Sequence, residues 1–204
     1  MATRPEPPVD APPVAFAAAL AHLRAVLDGP VRPELSLRIV PAPKRMAPWS
    51  VAVAAEVHGP VGGREGADTA DVASGRFVVL HDPQGQDGWR GDTRIVAFVE
   101  AAVDPEMGAD PALADAGWSW LLDGLADRGA GCTATSGTVT RTASRRFGEM
   151  EDPADDCEVE VRASWTPLPG RDGIALGDHL LAWCDLLCST AGLPPVGVTV
   201  LHQR

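Results

Sequence analysis

The chain has 204 residues, 45% of them apolar, and a formal net charge of −11. That length suits a single domain able to bury roughly 70% of its unfolded surface without disulfide staples. The charge argues against non-specific nucleic-acid binding and against adhesion to anionic membranes, since both need clustered cations.

Six tryptophans stand beside no tyrosine, and Lys44 is the only lysine. A fully buried tryptophan removes about 150–250 Å² from water, so most of them belong in the core. The N-terminus lacks the basic, apolar and small-residue sequence of a secretory signal. No apolar run approaches the ~18–20 residues that span a bilayer. The expected setting is the cytoplasm, with the four cysteines as reduced thiols.

In chain order, residues 1–13 are rich in proline and polar groups and are expected to form a disordered tail. Pro13 to Asp28 carries Phe16, Leu20, Leu23 and Leu27 on one helical stripe, stopped by Gly29-Pro30. Leu35 to Val40 alternates as a short strand, and Pro41 to Trp49 is a proline-stiffened connector. Ser50–Val57, Arg76–Leu80 and Arg94–Val103 are nearly continuous apolar runs, which predicts central strands covered on both faces. The stretch His58–Ser74, rich in glycine and acid, and the stretch His81–Asp92 read as loops.

Ala116 to Arg128 is predicted as a helix capped by Asp115. Trp118, Leu121, Leu122 and Leu125 form its stripe, Gly129 ends it, and Trp120 points off the stripe. Cys132 to Ser144 is a threonine-rich strand. Cys157 to Trp165 alternates apolar and polar residues with period two, which predicts a hairpin with the strand before it. A turn near Asp152 would set Cys157 opposite residues near Phe147 and far from Cys132, beyond the ~7 Å that a disulfide allows. Asp178 is read as the cap of a last helix along Leu180, Trp183, Cys184, Leu187 and Ala191, closed by Gly192 and Leu193. Residues 196–204 are left as a strand or tail.

These elements predict a single α+β domain over residues 14–195: a mainly antiparallel sheet of about five to six strands with three helices packed on it. The element order is similar to that of small dimeric secretion-chaperone folds, an analogy of topology alone.

Several motifs carry a more specific resemblance. They are Ile39-Val-Pro-Ala-Pro-Lys-Arg-Met-Ala-Pro-Trp49, Val79-Leu-His-Asp-Pro-Gln-Gly-Gln86, Gly117-Trp-Ser-Trp-Leu121, Gly137-Thr-Val-Thr-Arg141, Ala163-Ser-Trp-Thr-Pro-Leu168 and Ala182-Trp-Cys-Asp-Leu-Leu-Cys188. Together, over about Phe16 to Pro195, they resemble the actinobacterial domain-of-unknown-function three-thousand family. The resemblance implies a bacterial cytosolic protein and brings no activity, cofactor or catalytic residue.

No catalytic signature stands out. Gly59 to Gly66 has the glycines of a phosphate loop but lacks its Gly-Lys-Ser/Thr ending, and neither a nucleophile elbow nor a dinucleotide fingerprint occurs. Cys184 and Cys188 share a helix face that suits one metal, but the same face is the apolar stripe, so core packing is the reading and no metal or cofactor is expected. His81 and Asp82 sit where a buried strand enters a loop, a position that suits a general base as well as a plain turn. Lys44, Arg45 and Trp49 form a basic and aromatic patch between prolines, with interface-type residues on an otherwise acidic chain. Arg94, Arg141, Arg145 and Arg162 either converge on an anion or pair with Glu158 and Glu160.

The sequence favours a non-catalytic protein-binding or adaptor module with an unknown protein partner, a homodimer being one form it could take. Its candidate binding residues are Lys44, Arg45, Trp49, His81, Asp82 and Trp120. The alternative is a small-metabolite enzyme with a cleft near His81, Asp82 and Arg94. A heme- or metal-handling role through Cys184 and Cys188 ranks last.

Overall fold

The computed structural model describes residues 11–43, 45–60, 69–145, 147 and 156–194. Among these residues ten elements follow one another: α1 (Val14–Leu27), β1 (Leu35–Val40), β2 (Trp49–Pro60), β3 (Thr69–His81), β4 (Thr93–Val103), α2 (Pro105–Ala109), α3 (Leu113–Asp127), β5 (Cys132–Ser144), β6 (Asp156–Pro167) and α4 (Leu176–Thr190). The strands form one six-stranded sheet in the order β1-β2-β3-β4-β6-β5, with every neighbouring pair antiparallel. The fold is α+β. The predicted helices are present as α1, α3 and α4, and the short α2 is added to them.

Period two divides the strands between two environments. Val53, Phe77, Val79, Ile95, Val99, Val161 and Trp165 face the helices and join Leu23, Leu121, Leu180 and Trp183 in one buried core. Helix α4 is apolar nearly all round and buried on most sides, as its place beneath the sheet and between α1 and α3 requires. Its Trp183 lies against β3 because Gly75 has no side chain. A Cβ there would stand 2.7 Å from the indole and 2.6 Å from the Phe98 carbonyl oxygen. The Trp183 Nε1–H donates to that same carbonyl at 3.2 Å.

The opposite sheet face differs from expectation. No helix covers it. A small cluster of Ala52, Val78 and Leu80 is roofed by Ala42 and Ala47 of the connector and by Trp89 of the 82–92 loop. Elsewhere that face is charged: Arg38 pairs with Glu56 at 2.8 Å, Arg162 pairs with Glu160 at 2.8 Å, and Arg162 lies over the Phe98 ring. The apolar runs looked two-sided because small residues such as Ala52, Ala54 and Ala102 occupy the outward positions.

Other expectations shift locally. The 58–74 stretch is not a loop throughout. Strand β2 runs to Pro60 and β3 resumes at Thr69, with a register shift at Val57/His58 and a His58–Asp71 contact of 2.6 Å. Backbone ladders need no apolar side chains, so the polar composition there concealed a hairpin that projects past the core. Helix α2 starts at Pro105, and the Asp104 carboxylate accepts from the Glu106 N–H at 2.8 Å, a capped start that the sequence reading passed over.

Helix α3 starts earlier than predicted, with Ala112 at its N-cap, so Asp115 sits inside the first turn. Its buried line is Leu113, Gly117, Leu121 and Leu125, whereas Leu122 is 41% exposed. Asp178 likewise lies inside the first turn of α4, whose N-cap is Ala175. Both predicted C-caps form. Gly129 and Gly192 hold φ of +64° and +74°, and the following N–H groups, of Ala130 and Leu193, reach back to Leu125 and Cys188. Cys157 pairs with Ala143, four residues before Phe147, while Cys132 pairs with Pro167 at the far end of the ladder; the expected turn near Asp152 lies outside the described residues. All four cysteines are free.

Candidate functional site

Among the described residues, the site with the most chemistry lies where β3 ends, β4 begins and α1 crosses above them. Its floor comes from the sheet register. His81 and Thr93 are partners across the two strands, and Asp82 N–H to Asp92 C=O closes the loop behind them at 2.8 Å. The Thr93 hydroxyl donates to the Asp92 carboxylate at 2.9 Å. Its one proton is thereby committed, so the His81 Nδ1–H at 2.9 Å must donate to it. The network assigns the Nδ1–H tautomer and leaves Nε2 as an acceptor.

That Nε2 is buried and has no hydrogen-bond partner among the described residues. His81 is 4% exposed and its ring is stacked on Phe16, with centroids 4.5 Å apart and planes within 7°. Burial lowers its pKa, against the opposing pull of Asp92 and Asp82. The imidazole is therefore neutral at pH 7, an oriented acceptor or latent base beside a carboxylate.

A cavity of about 610 Å³ opens over this floor. One wall is the Ala15, Phe16, Ala18 and Ala19 face of α1, and the other is the 169–175 loop leading into α4. Asp92, Asp172 and Asp178 line it with Arg171. His22 ties the two walls together: its Nδ1 accepts from the Gly177 N–H at 3.2 Å, serving a free donor in the first turn of α4 from a different helix.

The sequence candidates do not all meet here. Trp49 does come close: it is the register partner of His81 on β2, with ring centroids 6.1 Å apart. Asp82 organises the 82–92 loop instead, accepting from the Gln84 N–H at 3.1 Å and from Gln86 Nε2 at 3.3 Å. Arg94 is one residue beyond Thr93 and so lies on the opposite sheet face. Its guanidinium donates to Ala134 O at 2.9 Å, Thr166 Oγ1 at 3.2 Å, Ser136 Oγ at 3.3 Å and Ser164 Oγ at 2.7 Å. Burial lowers its pKa. Arg45 is exposed in the connector at φ +75°, and Lys44 lies outside the described residues. Trp120 is half-buried in a groove between α3 and α4, near Arg128 and Asp185. The four arginines do not converge: Arg162 pairs with Glu160, Arg141 donates to the Gly108 and Asp110 carbonyls, and Arg145 lies over Phe147.

Asp92 stands beside His81 as the sequence suggested, whereas Phe16, His22, Thr93 and the 169–175 loop were not singled out as site residues. Their one signal was the closing of a strand–loop–strand unit by His81 and Thr93, which is visible only once register is known.

Cys184 and Cys188 are core residues. Burial raises both thiols, Cys188 to about 11, and Cys188 adds to the rise at Cys184. No group of three or more His, Cys, Asp or Glu residues among those described could hold a metal ion. No helix among them is long and apolar enough to cross a membrane.

A family model described as "Protein of unknown function (DUF3000)" matches residues 12–199. No curated protein and no solved structure matches the chain.

Proposed function

We propose, from the premise that the chain belongs to the DUF3000 family of proteins of unknown function, that it is a non-catalytic binding module whose cavity beside His81 takes a small molecule. One observation carries the reading: the buried His81 Nε2, held as an acceptor by the Thr93–Asp92 chain, has no partner among the described residues. A buried polar atom left unpaired costs about 1–3 kcal/mol, and a ligand donor that reached it would recover that energy. The ligand that fits has an apolar body against Phe16 and Ala19 and a hydrogen-bond-donating, positively charged nitrogen among Asp92, Asp172 and Asp178. A bacterial cytoplasmic setting accords with four free thiols and an acidic chain.

The second reading is the protein adaptor. It draws on the connector, where Met46 is 48% exposed beside Arg45 and is held by Gln86 Nε2 to Met46 O at 3.0 Å.

Native mass spectrometry of protein isolated gently from its own host tests both. A discrete small-molecule mass, absent from an Ala15→Trp variant that fills the cavity mouth, supports the cavity reading. A stoichiometric protein passenger with no small-molecule mass overturns it in favour of the adaptor. Turnover of the bound compound would move the assignment to a small-metabolite enzyme with His81 as its base.

A further inference from the structure

The two edges of the sheet are built differently. β1, at one edge, has six residues, carries Arg38, and is bracketed by Pro33 and Pro41. Short length, charge and proline are the devices that keep an edge from pairing. β5, at the other edge, has thirteen residues with no lysine and no proline, and no charge from Cys132 to Thr140. Its first residues bend away at the Thr133/Ser136 register shift, where Ala134 holds φ +51°. That leaves Ser136–Ser144 as a regular run with β6 on one side and no strand among the described residues on the other. The one charge in the run, Arg141, is committed to the carbonyls of Gly108 and Asp110 at 3.3 and 2.5 Å.

A second feature continues this edge into the helical layer. Trp118 lies over β5: a Cβ on Gly137 would stand 2.7 Å from its ring. One turn later Leu122 is 41% exposed. At about 100° per residue, both stand about 160° around α3 from Trp120, which faces the α4 groove. On the side of α3 away from that groove, Trp118 is therefore half-buried over β5 and Leu122 stands exposed beyond it, beside the β5 edge.

We infer that the occupant of this edge is a second copy of the chain. Its β5 pairs antiparallel about a two-fold axis, joining two six-stranded sheets into one, with Trp118 and Leu122 of each copy covering the seam. Self-pairing fits this strand because a run nearly free of charge meets another of the same kind, and threonine–threonine pairs across antiparallel strands stabilise. Nine residues at about 3.4 Å span about 30 Å, and a sheet-plus-helix layer is about 20 Å high. That gives about 600 Å² a side, close to the lower bound of ~1,200 Å² in total for specific interfaces. Two copies each of net charge −11 also repel. The dimer is thus expected to be reversible, micromolar in order of affinity, and tighter as salt screens the repulsion.

Sedimentation velocity of the full chain at low and high micromolar concentration, in low and moderate salt, tests this. The expected result is a monomer–dimer equilibrium strengthened by concentration and salt, with β5 amides more protected from exchange in the dimer. Thr138→Lys with Thr140→Lys, both on the exposed strand, and separately Leu122→Glu, should each weaken association by roughly tenfold or more without changing the melting curve. Ser36→Lys on β1 should leave it unchanged. A wild-type chain that stays monomeric at high concentration and salt would overturn the inference. So would a dimer that survives both β5 and α3 changes, or one lost on changing Ser36.

Discussion

His81 and Thr93 face each other across β3 and β4, ring nitrogen to hydroxyl, at 2.9 Å. The pairing decides more than a turn. Thr93 is 1% exposed and donates its hydroxyl hydrogen bond to Asp92, so the imidazole has one permitted tautomer. The residue that makes His81 an acceptor is a threonine on the next strand, and the acid that fixes that threonine is partly in solvent, with its side chain 54% exposed.

Removing the hydroxyl should therefore harm stability more than removing the whole pair. Thr93→Val keeps the shape and leaves the His81 Nδ1–H buried without an acceptor, at an expected cost of about 1–3 kcal/mol. Adding His81→Phe to Thr93→Val takes away the stranded donor and the unpartnered Nε2 together, and should restore much of the loss. Urea midpoints of the two variants measure this. A double variant no more stable than Thr93→Val would deny the network its role.

Arg94 predicts a different failure. Its guanidinium reaches across β6 to the Ala134 carbonyl of β5, where the backbone holds φ +51°. Arg94→Met should cost about 2–3 kcal/mol, because a carbonyl and several hydroxyls lose a charged donor in a buried place. The damage should be local, so hydrogen exchange should quicken at residues 133–136 of β5 before it does in β2 or β3. Arg94→Lys should rescue little, since one ammonium cannot serve four acceptors spread over β5 and β6.

The thiols offer a simple probe of packing. Cys132 is half-exposed at the start of β5, whereas Cys157, Cys184 and Cys188 are buried. Burial raises Cys184 and Cys188 further from thiolate, the reactive form. Native protein treated with a thiol reagent should give one fast equivalent, abolished by Cys132→Ser, and the remaining three only on unfolding. Fast reaction of Cys184 or Cys188 would mean that α4 opens far more readily than its burial implies.

Strands with one wet face were legible from the sequence: β1 and β5 have their predicted bounds, and β6 runs one residue further at its start and two at its end. So were the glycine stops of α3 and α4. What was illegible depends on distance in the chain. Asp178 looked like a cap, but the free N–H of Gly177 in that turn is served by His22, 155 residues away in sequence. Leu122 looked buried because periodicity gives the width of an apolar stripe but not where the neighbouring layer ends. Arg94 and His81 looked like members of one cleft. Pairing with Leu80 and Thr93 puts them on opposite faces, and one residue of register decides that.

The last prediction concerns acid. His179 is 1% exposed on α4, and its Nδ1 accepts the Trp165 indole N–H at 3.1 Å. Burial lowers its pKa from the ordinary 6.5 to about 4. Above pH 6.5 the ring is neutral in both folded and unfolded chains and costs nothing. Between 6.5 and 4 the unfolded chain takes up a proton that the folded one refuses, so stability must fall as pH falls. The full difference is worth about 3 kcal/mol once pH drops below 4. Burial lowers the pKa of His81 as well, adding to the loss in the same direction. His179→Asn can keep an acceptor for Trp165 without a titrating ring. Its urea midpoint should fall less between pH 7.5 and pH 4.5 than that of the wild type, and parallel curves for the two proteins would exclude His179 as a source of the acid sensitivity.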